Sequence, residues 1–224
     1  MTKKLWCILL AWLITAQSAA LESQSSEPAL LMPLPQQAQS ALWSAQILTR
    51  YHYRAAPLDD AMSERIFANY VDSLDRERLF FLQSDIERFA SARTQLDDAI
   101  LKQDLSIPFA MFNLQRQRLA ERVAQAREFV NQKPVFTLKE SYPHSREKAP
   151  WAKSEDELRD LWRKRVKNDW LRLKLAGKDE AAIRTTLDKR YENYLTRSAR
   201  LKSDDVFQLF MNAYSTAMDP HTQY

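Results

Sequence analysis

The chain has 224 residues, 45% of them hydrophobic and 11% aromatic, enough apolar material for a buried core and too much for a disordered chain. Its 33 basic and 29 acidic residues leave a formal charge of only +4, a balance that implies no dedicated polyanion partner. Glycine occurs once, at Gly177, where average usage would give about sixteen, so phosphate loops, glycine-built oxyanion nests and tight β-hairpins are excluded and an all-α fold is expected.

Residues 1–20, MTKKLWCILLAWLITAQSAA, set two lysines before an apolar run from Leu5 to Ile14, with small residues at Ser18 and Ala20. Ten apolar residues are too few to span a bilayer, and the order is that of a secretory signal peptide. Cys7, behind Lys4-Leu5-Trp6, sits too early and among side chains too bulky for a lipoprotein cleavage box. Cleavage would remove Lys3, Lys4 and Cys7, so the mature chain is expected to be exported, free of disulfides and without stable membrane insertion, at a net charge of +2. Residues 21–37 read as a linker, with Pro28, Pro33 and Pro35 among serines and glutamines. The folded region is expected over 38–224.

Leu42, Trp43, Ile47, Leu48 and Tyr51 recur at helical spacing before Pro57. Asp59 and Asp60 open a second helix whose stripe is Ile66, Phe67, Tyr70, Val71 and Leu74. Ser84 is the expected N-cap of a helix carrying Ile86, Phe89, Leu96 and Ile100, and Pro108 suits the first turn of a run from Phe109 to Gln132. Residues 134–153 have three prolines and no period, which predicts a surface connector dividing helices at 38–132 from helices at 154–219. Ser154 and Glu157 form a capping-box pattern ahead of Leu158, Leu161, Trp162, Val166, Trp170 and Leu173, and Gly177 closes that helix. Asp179 opens a helix with Ile183, Leu187, Tyr191, Tyr194 and Leu195. Ser203-Asp204-Asp205 opens the last, with Val206, Leu209, Phe210, Ala213, Tyr214 and Ala217 in register. Six to seven helices in two groups are expected.

No residue is assigned to catalysis, cofactor binding or metal binding. His52, His144 and His221 stand beside turn or helix-end signals and none has a metal-ligand spacing. Asp219-Pro220-His221-Thr222 brings an acid, a base and a hydroxyl together in sequence, yet a proline after Asp219 accounts for the stretch as a helix stop. The basic run from Trp162 to Lys174 lies in a region, 151–202, with fifteen basic and nine acidic side chains. Its aromatics fall on the buried stripe, leaving Arg163, Lys164, Lys167 and Lys174 as a solvated face, so no nucleic-acid partner is expected.

Three segments carry a resemblance: YVDSLDRERLFFLQSDIERF (Tyr70 to Phe89), KAPWAKSEDELRDLW (Lys148 to Trp162) and DDVFQLFMNAYSTAMDPHTQY at the end of the chain. In this order they resemble the helical N-terminal domain of the tail-specific, or carboxy-terminal processing, protease family of Gram-negative periplasms. The resemblance implies a periplasmic location and a place ahead of a peptide-binding PDZ domain and a protease domain with a serine nucleophile and lysine base. No residue of this chain matches that serine or lysine, so no catalytic role is carried over. The expected function is a non-catalytic packing and interaction scaffold, the MDPHTQY stretch being an exit toward a further domain. The alternatives are a share in a complete serine-type endopeptidase acting on polypeptides with apolar C-termini, or an independent peptide-binding adaptor. The expected partners are PDZ and protease domains of a related chain, or a second copy. The expected contact residues are Phe207, Phe210, Met211, Tyr214, Met218, Asp219, His221 and Tyr224, because the apolar face of the last helix is wider than one neighbour requires.

Overall fold

The computed structural model describes residues 29–224; the leader sequence with Cys7, and the linker as far as Pro28, lie outside them. Eight α-helices follow in order: α1 (Pro35–Tyr51), α2 (Asp60–Asp75), α3 (Gln83–Arg88), α4 (Leu96–Leu101), α5 (Ser106–Asn131), α6 (Glu155–Leu175), α7 (Glu180–Arg200) and α8 (Ser203–Met218). A 3-10 helix, Ala90–Thr94, joins α3 to α4, and there is no strand among the described residues, so the fold is all-α.

Side-chain caps set several of these boundaries. Asp59 accepts from the Met62 amide at 2.9 Å to start α2, Asp179 accepts from Ala182 at 2.8 Å to start α7, and Ser154 accepts from Glu157 at 3.2 Å to start α6. The Glu157 carboxylate reaches past the cap to the Lys153 amide at 2.8 Å. At the other end of α6, Gly177 takes φ +83°, with Lys178 donating to the Leu173 carbonyl and Gly177 to the Lys174 carbonyl, a Schellman closure. Two further left-handed positions fall on non-glycine residues, Arg78 and Gln103.

The single helix expected from Ser84 to Ile100 is instead three short pieces, and Ser84 is not a cap. Leu82 occupies that position, its amide held by the Asp85 carboxylate at 3.0 Å. The apolar period survives the breaks at Phe89 and Gln95 because tertiary contacts replace the missing helical bonds. The Leu96 amide donates to Ser63 Oγ of α2 at 2.8 Å, and the Arg93 guanidinium lies 4.8 Å from the Phe67 ring centre.

The connector does not divide the helices in space as it divides them in sequence. One core gathers Ile66, Phe67 and Tyr70 of α2 with Phe109 and Phe112 of α5 and Val206, Phe210 and Tyr214 of α8. The other gathers Val123 and Val130 of α5 with Trp162, Val166 and Trp170 of α6 and Leu187 and Tyr191 of α7. Thus α8 returns to the first group, and α5, about 39 Å long at 1.5 Å per residue, serves both cores.

Asp75 ties the two halves together at the end of α2. Its buried carboxylate accepts from the amides of Leu79 (2.7 Å), Phe80 (3.1 Å) and Phe81 (3.0 Å) and from the Trp151 indole (3.2 Å). Burial pushes this carboxyl above its ordinary pKa, and the four donors pull against that rise. The bend they hold carries Arg78 at φ 54°, whose guanidinium stacks 3.9 Å from the Trp151 ring centre. Beside it, Ala152 accepts from the Gln83 amide, and Trp162 Nε1 donates to the Leu79 carbonyl at 2.7 Å.

Candidate interaction surface

The apolar patch expected on α8 is not at the surface. Phe210, Met211 and Tyr214 are fully buried, and Phe207 and Met218 are 7% and 6% exposed, so these five expected contact residues form core instead. The stripe is wide because α8 has neighbours on several sides, packing against α2 and touching α1 and α5. Tyr70 and Phe210 meet edge to face at 5.5 Å, and Asn69 donates to the Ala213 carbonyl at 3.2 Å. Tyr224 remains 45% exposed, but its ring turns back edge-on to Phe207 at 5.5 Å.

The exposed apolar stripe is on α1, among the large residues that recur at helical spacing. This helix buries Gln37, Ala38, Ala41 and Ala45, and it leaves Trp43, Ile47 and Tyr51 exposed to 56%, 59% and 79%. Those three residues stand at i, i+4 and i+8, one ridge of the helix facing solvent. The signal was present as a second, alanine stripe at 38, 41 and 45. Small residues permit close approach of α1 to its neighbours while the large ones are turned outward.

The ridge runs into the Asp219–Thr222 turn. His52, which follows Tyr51, places Nε2 2.9 Å from Thr222 Oγ1, while its Nδ1 accepts from the Arg54 amide at 3.1 Å. An acceptor at Nδ1 puts the ring proton on Nε2, so His52 donates to Thr222. Thr222 in turn donates to Asp219 Oδ2 at 3.2 Å, and the same carboxylate accepts from the His221 amide (3.1 Å) and Arg54 Nη1 (3.3 Å). Burial opposes ionisation of Asp219, but the neighbouring Tyr53 hydroxyl and hydrogen bonds from the His221 amide and the Thr222 hydroxyl prevail and hold its carboxyl below the usual range. An acid, an imidazole and a hydroxyl therefore do meet, and in the wrong order for nucleophilic attack. The imidazole offers Thr222 a proton instead of taking one, and the carboxylate orients the hydroxyl instead of the histidine. The cluster is a latch fixing the direction in which the chain leaves α8, with the His221 side chain outside it at the surface.

The basic run on α6 is less solvated than its sequence implies. Arg163 and Lys167 both grip Glu140 of the connector, Arg163 and Lys164 pair with Asp160, and Lys167 is only 14% exposed. The two cations hold the Glu140 carboxyl down at about 2. Lys174 lies over the Phe136 ring. These charges bind the connector to α6. Among the described residues no cluster of His, Cys, Asp and Glu is gathered as a metal site.

The tail-specific protease N-terminal domain family matches residues 44–224. A tail-specific protease of Haemophilus influenzae is 34% identical over 232 residues, an alignment covering 100% of this chain and 33% of the relative. The chain thus spans about a third of the length of the curated relative it matches. The match takes in α2 to α8, the last eight residues of α1 with Ile47 and Tyr51 of its exposed ridge, and the terminal latch. The chain belongs to the tail-specific protease N-terminal domain family.

Proposed function

We propose that this chain acts as a non-catalytic packing and interaction domain of a periplasmic tail-specific protease, and that the α1 ridge is its docking face. The carrying observation is the run of Trp43, Ile47 and Tyr51, exposed along one side of α1 and ending at the latch from which the chain departs. Its occupant is the polypeptide that follows this domain in the longer relative, because the family is described as an N-terminal domain, the alignment covers 33% of the relative, and the chain leaves α8 beside the end of the ridge. Tryptophan and tyrosine are the residues that most often dominate the energetics of such contacts. The leader-like order of residues 1–20 supports export to the periplasm, and no helix among the described residues is long and apolar enough to cross a membrane. Proteolysis, and any preference for apolar C-termini, would belong to a serine–lysine site supplied by the partner polypeptide.

Sedimentation velocity tests this. The chain is mixed with the portion of the Haemophilus influenzae protease that follows the aligned region, and a complex is expected that a Trp43→Ser, Ile47→Ser double variant weakens by at least about thirtyfold, the scale of a lost interface anchor. Wild type and variant associating equally, or only with themselves, would overturn the assignment of the ridge.

A further inference from the structure

The arginines of α5 differ in their partners. Arg118 is bidentate with Asp85, and Arg122, fully buried, is bidentate with Glu155. Arg116 is 6% exposed and has no carboxylate partner among the described residues. Its one hydrogen bond runs from Nη1 to the Ala29 carbonyl at 3.1 Å, and Nε has no partner. A buried guanidinium without a counter-charge is costly, and burial lowers its pKa from the ordinary value.

Arg116 lines a cavity of about 620 Å³ between α5 and residues 29–33, within the range of small-ligand sites. Phe89, Phe109, Ala110 and Leu114 supply apolar wall, and Arg88, another cation without a carboxylate partner among the described residues, stands at the rim. The polar groups of the wall are largely engaged, and its one carboxylate, Glu121, is paired with Arg118 at 2.8 Å. Asn113 uses both ends of its amide on Leu31, accepting at 3.0 Å and donating at 2.8 Å, and Gln117 donates to Glu121 at 3.1 Å.

We propose that this cavity binds an aliphatic monocarboxylate, a fatty-acid-like amphiphile whose carboxylate is taken by Arg116 and whose chain lies against Phe89, Phe109 and Leu114. A carboxylate supplies the missing counter-charge, and the guanidinium fork suits it. An acyl chain fits better than a peptide because the engaged amides leave little to satisfy buried peptide N–H and C=O groups.

Titration calorimetry of the full chain with dodecanoate below its micellar range tests this, with dodecanol and an apolar peptide bearing a free C-terminus as comparison ligands. Dodecanoate should bind, dodecanol at least about tenfold more weakly, and Arg116→Gln should lose a similar factor, the scale of a hydrogen bond to a charged group. Ala110→Phe, at an exposed position on the cavity wall, should block binding without touching the core, which keeps the test valid should Arg116→Gln fold poorly. The linker ahead of Ala29 carries two carboxylates, Glu22 and Glu27, and neutralising both (Glu22→Gln with Glu27→Gln) should leave dodecanoate affinity unchanged. Equal binding of alcohol and acid, preference for the peptide, absence of binding, insensitivity to both Arg116→Gln and Ala110→Phe, or binding only once Glu22 and Glu27 are neutral would each overturn the proposal.

Discussion

Replacing Asp75 by asparagine preserves shape and removes one acceptor from a site surrounded only by donors. The favourable orientation keeps the amide oxygen where Oδ2 serves Phe80, Phe81 and the Trp151 indole. The new NH2 group then faces the Leu79 amide, now 2.7 Å from a carboxylate oxygen. Two buried donors are left unmatched at about 1–3 kcal/mol each, and relief of the buried charge returns part of that, so a net loss of about 2–4 kcal/mol is expected. For a domain of this size the loss corresponds to a melting temperature lower by about 5–15 °C, read by calorimetry or chemical denaturation. The double-mutant cycle is sharper: Trp151→Phe should cost more in the wild type than beside Asp75→Asn. Asp75→Asn within about 0.5 kcal/mol of wild type, with an additive cycle, would refute the view that this carboxylate holds the two cores together.

Phe210→Ala should destabilise the chain by about 3–5 kcal/mol in denaturant unfolding, because the ring is fully buried against Tyr70; a cost near zero would return α8 to the surface. Glu140 is ionised in the fold down to about pH 2, so its stabilising contribution is complete above its ordinary carboxyl pKa and is lost as the pH falls through the folded value. In Arg163→Gln with Lys167→Gln, an NMR titration should find the Glu140 pKa back near the ordinary carboxyl value, and no change would mean that the connector is held by other means. Thr222→Val removes both hydrogen bonds of the hydroxyl while keeping its volume, and it should raise hydrogen exchange in the last turn without shifting global stability.

What the sequence made legible follows from how local each cause is. Asp59, Ser154, Gly177 and Asp179 act within four residues of themselves, and the boundaries they predict are those found. The break of the 84–100 segment depends on Ser63 and Phe67, one turn apart on a different helix, and no period within the segment reports it. Periodicity shows α8's apolar face but not its neighbours, so a face buried on several sides looks like a surplus in the sequence. On α1 the large apolar side chains give the stronger periodic signal, although it is the face of the three alanines that packs. Because the α1 ridge is defined by what the fold leaves uncovered, it is visible only with the fold.

The most direct measurement is the reactivity of a single thiol on that ridge. With Ile47→Cys in a Cys7→Ser background, labelling by a maleimide should be fast for the chain alone, since Ile47 is 59% exposed. Addition of the polypeptide that follows this domain in the Haemophilus influenzae relative should slow it by at least about tenfold, the scale of burying an anchor residue. A complex that forms while the thiol keeps its free rate would contradict the account.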